Sequence, residues 1–428
     1  MRGKKILMLG GSAQQVPIIE KAREMGLYTV VVDYLPDNPG RLVADKWYPD
    51  STVDIPAVER IAREEKVDAI LCYASDPAAW PAAVIADRLG LPGNPPESVR
   101  ILSHKHLFRR FQRDNSFPSP QSISIECGDS ARFNPECRDA PWCVRQSESG
   151  ASPTYTCREP QLAEMRFPVM VKPVDSSGSK GVLRIENIAD LDAAIEKAAK
   201  KSRSRRVVIE EIIPRGWPGI TDGEVLIADG RVILDAENES LRLPDISGGN
   251  LPCGNIFPSS APEEGLRRLT ADLQRLVDLL GIRFGEFNVE AVFTPDNTPV
   301  IVDIGARAGG NMTPILISDA LGIDLLEINI RLALGESINL PPRLSSLAPR
   351  PSSLYFGQIL FSRESGSLNL DSFRPSSLVP RPSPYRQVLY RDPADPVAPF
   401  RDASDALGIS FLRFPSRAAL DKFLISNF

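Results

Sequence analysis

Two carboxylates near residue 300 are the strongest chemical signal in this sequence. The segment GEFNVEAVFTPDNTPVIVDIGARAGG (285–310) is typical of two apolar strands joined by a turn at 295–299. Counting outward from a turn centred between Asp296 and Asn297 places Glu290 opposite Asp303 on one face of the hairpin. Opposed like charges destabilise a strand pair unless a cation lies between them, and carboxylate oxygens suit Mg²⁺. The pair therefore indicates a metal site, and a solvated hairpin face is the alternative.

Two further segments carry residues that could bind a nucleotide. In PVMVKPVDSSGSKGV (168–182), a strand delivers Lys172 to a loop of small residues that also contains Lys180. Small residues let backbone N–H groups approach phosphate oxygens, and a lysine adds positive charge. In VVIEEIIPRG (207–216), Glu210 and Glu211 interrupt an apolar strand, where a carboxylate could accept the amine of an adenine. A flexible hairpin and a solvated strand edge are the respective alternatives.

The elements needed to position these residues follow a regular pattern at the N-terminus. Residues 1–95 alternate strand and helix, which predicts a parallel, doubly wound sheet. The first turn, Gly10-Gly11-Ser12, lacks the full G-x-G-x-x-G, but Asp33 ends the second strand where a dinucleotide ribose ligand would stand. NAD binding is therefore an open alternative, and a structural role for Asp33 is favoured. A helix is predicted over Leu102–Gln112, carrying Lys105.

Composition excludes several classes of function. A formal net charge of −5 gives no electrostatic reason to expect nucleic acid or an anionic membrane as a partner. No apolar run approaches the roughly 20 residues that span a bilayer, and the N-terminal apolar run is too short for a secretory signal. We therefore expect a cytoplasmic protein. With only two histidines, a histidine-dependent triad is nearly excluded, and six cysteines without a C-x-x-C pair favour reduced thiols over zinc.

Taken in order along the chain, these segments resemble the ATP-grasp superfamily, which includes D-alanine–D-alanine ligase, biotin carboxylase and carbamoyl phosphate synthetase. The resemblance implies an α/β protein with a Rossmann-like pre-ATP-grasp domain that does not bind NAD. An ATP-grasp fold of two α+β subdomains and a small C-terminal αβ segment would follow. The implied boundaries are 1–103 for the first domain, 104–208 for the linker helix and lid subdomain, 209–340 for the core subdomain, and 341–428 for a Pro/Ser-rich connection and the C-terminal segment. A Cys-containing insertion is expected at about 126–161.

The resemblance also implies roles for individual residues. Glu290 and Asp303 match the acids that bridge Mg²⁺, or alternatively Mn²⁺, to the phosphates of ATP. Arg307 and Arg242 match basic residues at the reacting centre. The residues that match nucleotide contacts comprise two phosphate-binding lysines, a lid loop and an adenine linker: Lys105 and Lys172; Ser176, Ser177, Gly178, Ser179, Lys180 and Gly181; and Glu210, Glu211 and Ile213.

Two positions depart from the family pattern. The usual metal motif is acid-x-Asn, but Gly305 stands where the asparagine would be. The acid that grips the ribose is also missing, because Gly219 lies near its place and Asp222 is the nearest substitute. Because only the asparagine of the metal motif is replaced, by Gly305, we expect altered rather than lost metal binding. The segment 247–260 is expected to form a loop on the substrate side.

The function implied is that of an ATP-dependent ligase, in which a substrate carboxylate becomes an acyl-phosphate and is captured by an amine. A bicarbonate-using carboxylase is one alternative. A protein that binds nucleotide but has lost catalysis is another. Small carboxylates and amines are the expected partners, with neither nucleic acid nor membrane, and a homodimer is expected by analogy with the family.

Overall fold

The computed structural model describes residues 3–127, 165–246, 249, 251–341, 344, 347–367, 384–392 and 395–427. The chain divides into two compact units, the first formed by Met1–Ser103 with Arg215–Phe428 and the second by His104–Pro214. The predicted insertion at 126–161 lies outside the described residues, except for Glu126 and Cys127. No helix in the described ranges combines the length and the apolar character that a membrane span requires.

The first unit begins with a parallel sheet in the order β3-β2-β1-β4, as the alternating pattern predicts. Its strands are β1 Lys5–Leu9, β2 Tyr28–Val32, β3 Lys46–Tyr48 and β4 Ala69–Leu71. Its helices are α1 Val16–Glu24, α2 Gly40–Val43, α3 Ile55–Glu65, α4 Asp76–Leu89 and α5 Pro96–Ser103. Strand residues such as Ile6, Leu7 and Val30 are fully buried, as expected for a sheet covered by helices on both faces.

A large, mainly antiparallel sheet forms the rest of the first unit. Its described strands run in the order β14-β13-β9-β11-β12-β15-β19-β17, and β10 also pairs with β9. They are β9 Thr221–Ala228, β10 Arg231–Ala236, β11 Glu239–Arg242, β12 Pro252–Phe257, β13 Gly285–Phe293, β14 Pro299–Gly305, β15 Leu354–Leu360, β17 Arg386–Leu389 and β19 Gly408–Phe414. A separate two-stranded sheet contains β16 Gly366–Ser367 and β18 Pro396–Val397. The helices are α8 Glu263–Leu280, α9 Thr313–Leu321, α10 Leu325–Ala333 and α11 Arg417–Asn427.

The second unit is a four-stranded antiparallel sheet in the order β5-β8-β6-β7. Its elements are α6 Lys105–Asp114, β5 Ser122–Glu126, β6 Val169–Pro173, β7 Leu183–Ile185, α7 Leu191–Ala199 and β8 Arg206–Glu211. Alternate residues of β6, Val169 and Val171, pack against α7 residues such as Ala194 and Ala198. Because strand side chains alternate between faces, Met170 and Lys172 lie on the opposite face of the sheet.

Three details differ from the sequence predictions. The helix predicted over Leu102–Gln112 is two helices, because His104 adopts an extended conformation and ends the continuous helical turn. The segment 247–260, predicted as a loop, contains strand β12, which pairs with both β11 and β15. The boundary predicted after residue 208 falls inside β8, whose pairing with β5 and β6 keeps the whole strand in the second unit.

Candidate active site

The two acids predicted to oppose each other do so, but the turn centre and the strand register of the hairpin differ from those predicted. Near the turn, Val292 pairs with Val300 and Ala291 with Ile301, so the turn is centred on Asp296. That register would place Asp303 opposite Val289, on the buried face. A β-bulge between Glu290 and Ala291 shifts the register by one residue and restores the pairing of Glu290 with Asp303. Because one residue of slip moves a side chain to the other face, the bulge brings Asp303 to the face of Glu290.

The opposed acids remain partly open to solvent. The Glu290 side chain is 31% exposed, and one of its oxygens lies 3.3 Å from Nη2 of Arg242. Within the described part of the chain, no three His, Cys, Asp or Glu side chains are close enough together to enclose a metal ion. Two carboxylates nevertheless fit Mg²⁺, which usually takes one or two protein oxygens and completes its shell with water and substrate phosphate. The donor set therefore suits a metal carried by a nucleotide.

Asp222 lies directly opposite Glu290 on the other neighbouring strand, β9. It is only 7% exposed, and its carboxylate accepts a 2.7 Å hydrogen bond from Nδ2 of Asn288. Burial raises the pKa of Asp222, while the hydrogen bond from Asn288 opposes that effect. A side chain buried in the sheet in this way is poorly suited to the ribose contact for which Asp222 was the nearest substitute.

The loop after β14, which carries Arg307, is fixed at several points. The buried Glu224 carboxylate accepts hydrogen bonds from the Gly309 N–H, at 2.9 and 3.1 Å to its two oxygens, and from the Thr313 hydroxyl. The Asn311 N–H donates to Oε1 of Gln14 at 2.8 Å. A backbone bridge also joins Ala308 to Tyr73. These contacts hold the loop against the end of the N-terminal parallel sheet.

Arg307 itself forms an ion pair that the sequence did not predict. Its Nη2 lies 2.6 Å from Oδ1 of Asp76, the first residue of α4, and its Nη1 donates to the Ala308 carbonyl at 3.0 Å. Gly305 provides the space, since a Cβ at this position would stand 2.8 Å from Oδ1 of Asp76 and 2.9 Å from Cζ of Arg307. A side chain at this position would therefore force the Asp76–Arg307 pair to shift.

In the second unit, Lys172 is held by a buried carboxylate. Its Nζ lies 2.7 Å from Oε2 of Glu210, whose Oε1 accepts a 2.7 Å hydrogen bond from Nε of Arg109. Arg109 and Glu210 are only 1% and 3% exposed. Burial alone would raise the pKa of Glu210, but Arg109 and Lys172 lower it to about 2. Glu210 is therefore ionised and fixes the position of the Lys172 ammonium.

The small-residue loop that follows Lys172 is anchored at its start. Asp175 accepts hydrogen bonds from the Ser202 hydroxyl at 2.7 Å and from the Ser204 N–H at 2.8 Å. Beyond it, Gly178 and Ser179 both have positive φ angles, a backbone conformation that glycine adopts at no steric cost. The loop thus has a rigid base and a tight, glycine-dependent turn, a form compatible with phosphate binding.

The other predicted nucleotide residues lie in the same unit. Lys105 is the first residue of α6, and its N–H donates to the Val174 carbonyl at 3.0 Å. Glu211 accepts a 2.9 Å hydrogen bond from the Arg166 N–H. Ile213 follows the end of β8. The structure therefore brings Lys105 next to the start of the small-residue loop, while it leaves the adenine-binding roles of Glu211 and Ile213 as predictions.

Asp33, on which the NAD alternative rested, forms hydrogen bonds to the protein backbone. Its two oxygens accept hydrogen bonds from the N–H groups of Gly11, at 2.8 Å, and Leu35, at 2.9 Å. The side chain is 8% exposed. Asp33 thus fastens the first glycine turn to the end of β2, which accords with the structural role favoured from the sequence.

Sequence reasoning missed three residues that organise these sites: Asp76, Arg109 and Glu224. Two of them left a signal. Glu224 is an acid inside the apolar strand sequence TDGEVLIA, and Arg109 lies on the same helical stripe as the buried Phe108 and Gln112. A charge at a core position calls for a buried partner. Asp76 left none, because an acid in the first turn of a helix is already explained by the helix dipole.

Comparison with known proteins agrees with this architecture. The family described as D-ala D-ala ligase C-terminus matches residues 139–220. An uncharacterised protein, y4rH, from Sinorhizobium fredii is 26% identical over 317 residues, which are 72% of this chain and 61% of that protein. Carnosine synthase 1 from Gallus gallus is 28% identical over 391 residues, covering 86% of this chain and 38% of that protein. The chain therefore spans only part of the length of these relatives.

A solved structure matches over the whole chain. The L-amino acid ligase from Bacillus licheniformis superposes with a TM-score of 0.75 at 19% identity, covering 100% of this chain and 97% of that one. At this level of identity the match establishes the fold. It confirms the predicted α/β architecture with an N-terminal Rossmann-like part. The family match, the sequence relatives and the shared fold together confirm the predicted resemblance of this chain to the ATP-grasp superfamily.

Proposed function

We propose that this protein is an ATP-dependent ligase that activates a substrate carboxylate as an acyl-phosphate and joins it to an amine. The observation that carries the proposal is the pair of opposed, partly exposed acids Glu290 and Asp303, with Arg242 against one of them and Arg307 farther along the same chain segment. Two carboxylates and two guanidinium groups suit a reaction in which negative charge moves between phosphate oxygens and a carboxylate. The names of carnosine synthase 1 and the L-amino acid ligase are consistent with the formation of an amide bond.

In the first unit, Glu290 and Asp303 would hold Mg²⁺. The metal would supply charge neutralisation at the phosphoryl group when bound. Arg307 would bind and orient the substrate carboxylate, since a guanidinium offers a fixed set of donors for two oxygens. Arg242, which already contacts Glu290, would limit the repulsion between the acids and an incoming phosphate.

In the second unit, Lys105, Lys172 and the loop 176–181 would bind the phosphates of ATP. The Glu210 carboxylate holds the Lys172 ammonium in place before the nucleotide arrives, so little side-chain entropy is lost on binding. Closure of the small-residue loop would keep water from hydrolysing the acyl-phosphate. Positioning and electrostatics therefore carry the rate, which suits a chain with only two histidines.

The test is release of ADP from Mg·ATP in the presence of pooled amino acids, small carboxylates and amines, with bicarbonate in a separate reaction. We expect release that depends on one acid and one amine, and its loss in Glu290→Gln while calorimetric ATP binding persists. Glu97→Gln is the matched control, because Glu97 is 64% exposed in an ion pair with Arg100. Full activity of Glu290→Gln would remove Glu290 from the reaction. Release that depends on bicarbonate alone would replace the ligase by a carboxylase.

A further inference from the structure

The Asp76–Arg307 pair lies where a substrate carboxylate is proposed to bind, and its two residues differ in exposure to solvent. Arg307 is largely buried, with a side-chain exposure of 11%, whereas Asp76 is 32% exposed. The buried Nε of Arg307 has no hydrogen-bond partner among the described residues. The Arg307 guanidinium is thus largely enclosed by the protein, whereas the Asp76 carboxylate can be reached from solvent.

The pair is not needed to hold the loop that carries Arg307. Glu224 anchors Gly309, Gln14 anchors Asn311, and a backbone bridge joins Ala308 to Tyr73. Because the loop is anchored without the Asp76–Arg307 ion pair, Arg307 can bind a ligand without releasing the loop. Burial of a charged pair also contributes little net stability, because desolvation offsets the attraction.

We propose that Asp76 and Arg307 form a subsite for an α-amino acid, with Arg307 binding the carboxylate and Asp76 binding the ammonium group. This inference rests on the proposed ligase function and names the class of its acid substrate. The two protein charges are 2.6 Å apart, and an α-amino acid carries its own two opposite charges on one carbon. The ligand therefore presents the complementary pattern, and each of its charges meets an opposite one.

Gly305 leaves the space that this arrangement occupies. Any side chain at this position would enter the space of both Asp76 Oδ1 and Arg307 Cζ. The asparagine that usually completes the family's metal motif would therefore force Asp76 and Arg307 to move. Gly305→Asn is expected to weaken amino-acid binding, although it restores that motif.

The experiment measures binding without turnover. Each of the twenty L-amino acids is tested for a shift in the melting temperature, and the strongest is compared by calorimetry with the carboxylic acid of the same side chain that lacks the amino group. In the wild type, we expect the amino acid to bind at least about tenfold more tightly, as a charge-assisted hydrogen bond allows. Asp76→Asn should reduce this ratio to about threefold or less. Asp229→Asn, at an aspartate that is 60% exposed, is the control and should leave the ratio unchanged.

Several outcomes would overturn the subsite. An unchanged ratio in Asp76→Asn would make the pair structural, as would equal affinity of the wild type for the two acids. If Asp76→Asn does not fold, Asp76→Glu keeps the charge but lengthens the side chain, and it should also lower the ratio. ADP release driven only by a carboxylate without an amino group would support the ligase and refute the subsite. Asp76-dependent amino-acid binding without ADP release would refute the ligase instead.

Discussion

Glu210 in the second unit and the acids of the large sheet in the first unit are buried in opposite ways. In the second unit, Glu210 contacts two cations, Arg109 and Lys172, and its pKa falls to about 2. In the first unit, burial raises the pKa of Glu224 to about 8 and that of Asp235 to about 6. No described residue forms an ion pair with either of these acids, and their hydrogen-bond donors include the hydroxyls of Thr313 and Thr270. Glu210 is thus balanced by cations, whereas burial favours the protonated form of Glu224 and Asp235.

This difference matches the tasks proposed for the two units. An ionised Glu210 is useful because it keeps the Lys172 ammonium in one place. In the first unit, Glu237 and Glu286 also have pKa values well above the usual range, chiefly because of burial. Acids that carry protons near neutral pH add no repulsion to the sheet that presents Glu290 and Asp303. The negative charge of that sheet is thereby concentrated at its partly exposed acids.

The largest expected effect comes from removing a cation that balances Glu210. The Glu210 carboxylate is 3% exposed, and in Arg109→Met it would keep Lys172 as its main cation partner. Breaking a buried pair in this way typically costs about 3–5 kcal/mol in the free energy of unfolding. Urea unfolding at pH 7, followed by circular dichroism, measures the change.

A double substitution is the control for that variant. Arg109→Met combined with Glu210→Met removes both charges, and the lost stability should largely return, because no uncompensated carboxylate remains. A cost below about 1 kcal/mol for Arg109→Met alone would contradict the cation-balanced description of Glu210.

The second prediction concerns pH, for which Asp235 and Glu210 should show opposite signs. The folded pKa of Asp235, about 6, lies above the ordinary value of 3.8, so the folded state binds more protons between these values. Its stabilising contribution is complete below about pH 4 and is lost as the pH rises through 6, by about 2–3 kcal/mol. For Glu210 the folded pKa is depressed, so its contribution is present above about pH 4.5 and is lost as the pH falls toward 2.

Urea unfolding of Asp235→Asn and wild type between pH 4 and pH 8 separates these contributions. The difference in free energy of unfolding between the two proteins should move in favour of the variant as the pH rises. Glu210→Gln compared with wild type should show the opposite trend below pH 4.5. A pH-independent difference for Asp235→Asn would mean that Asp235 is not protonated in the folded state.

Much of this arrangement could be predicted from local sequence. The hairpin, its opposed acids and the strand that delivers Lys172 follow from apolar runs, a turn signal and short-range spacing. The bulge in the hairpin could not be predicted, because Val300, Ile301 and Val302 are all apolar and hide the change of phase that an extra residue makes in the alternation. The pairing of Glu290 with Asp303 was correctly predicted only because the shifted turn centre and the bulge compensate for each other.

Residue pairs that are distant in sequence could not be predicted from local sequence patterns. Asp76 and Arg307 are distant in sequence, and only the packing of the N-terminal sheet against the anchored loop brings them together. Glu210 stood out as an acid in an apolar strand, whereas Arg109 was missed, and nothing in the local sequence pairs one with the other. From the sequence, Gly305 indicated a lost metal ligand. In the structure, the Asp76–Arg307 pair lies next to the place that a Cβ of residue 305 would occupy.

The smallest expected effect isolates burial from geometry. Arg184 and Glu186, in the same unit as Glu210, also form a pair in which Nε lies 2.7 Å from Oε1, but their side chains are 50% and 60% exposed. Water screens such a pair, so Arg184→Met should cost no more than about 1 kcal/mol. The urea unfolding used for Arg109→Met measures this variant under the same conditions. If the two arginine substitutions cost the same, burial would not be what makes Glu210 depend on its cations; a difference of several-fold would show that it is.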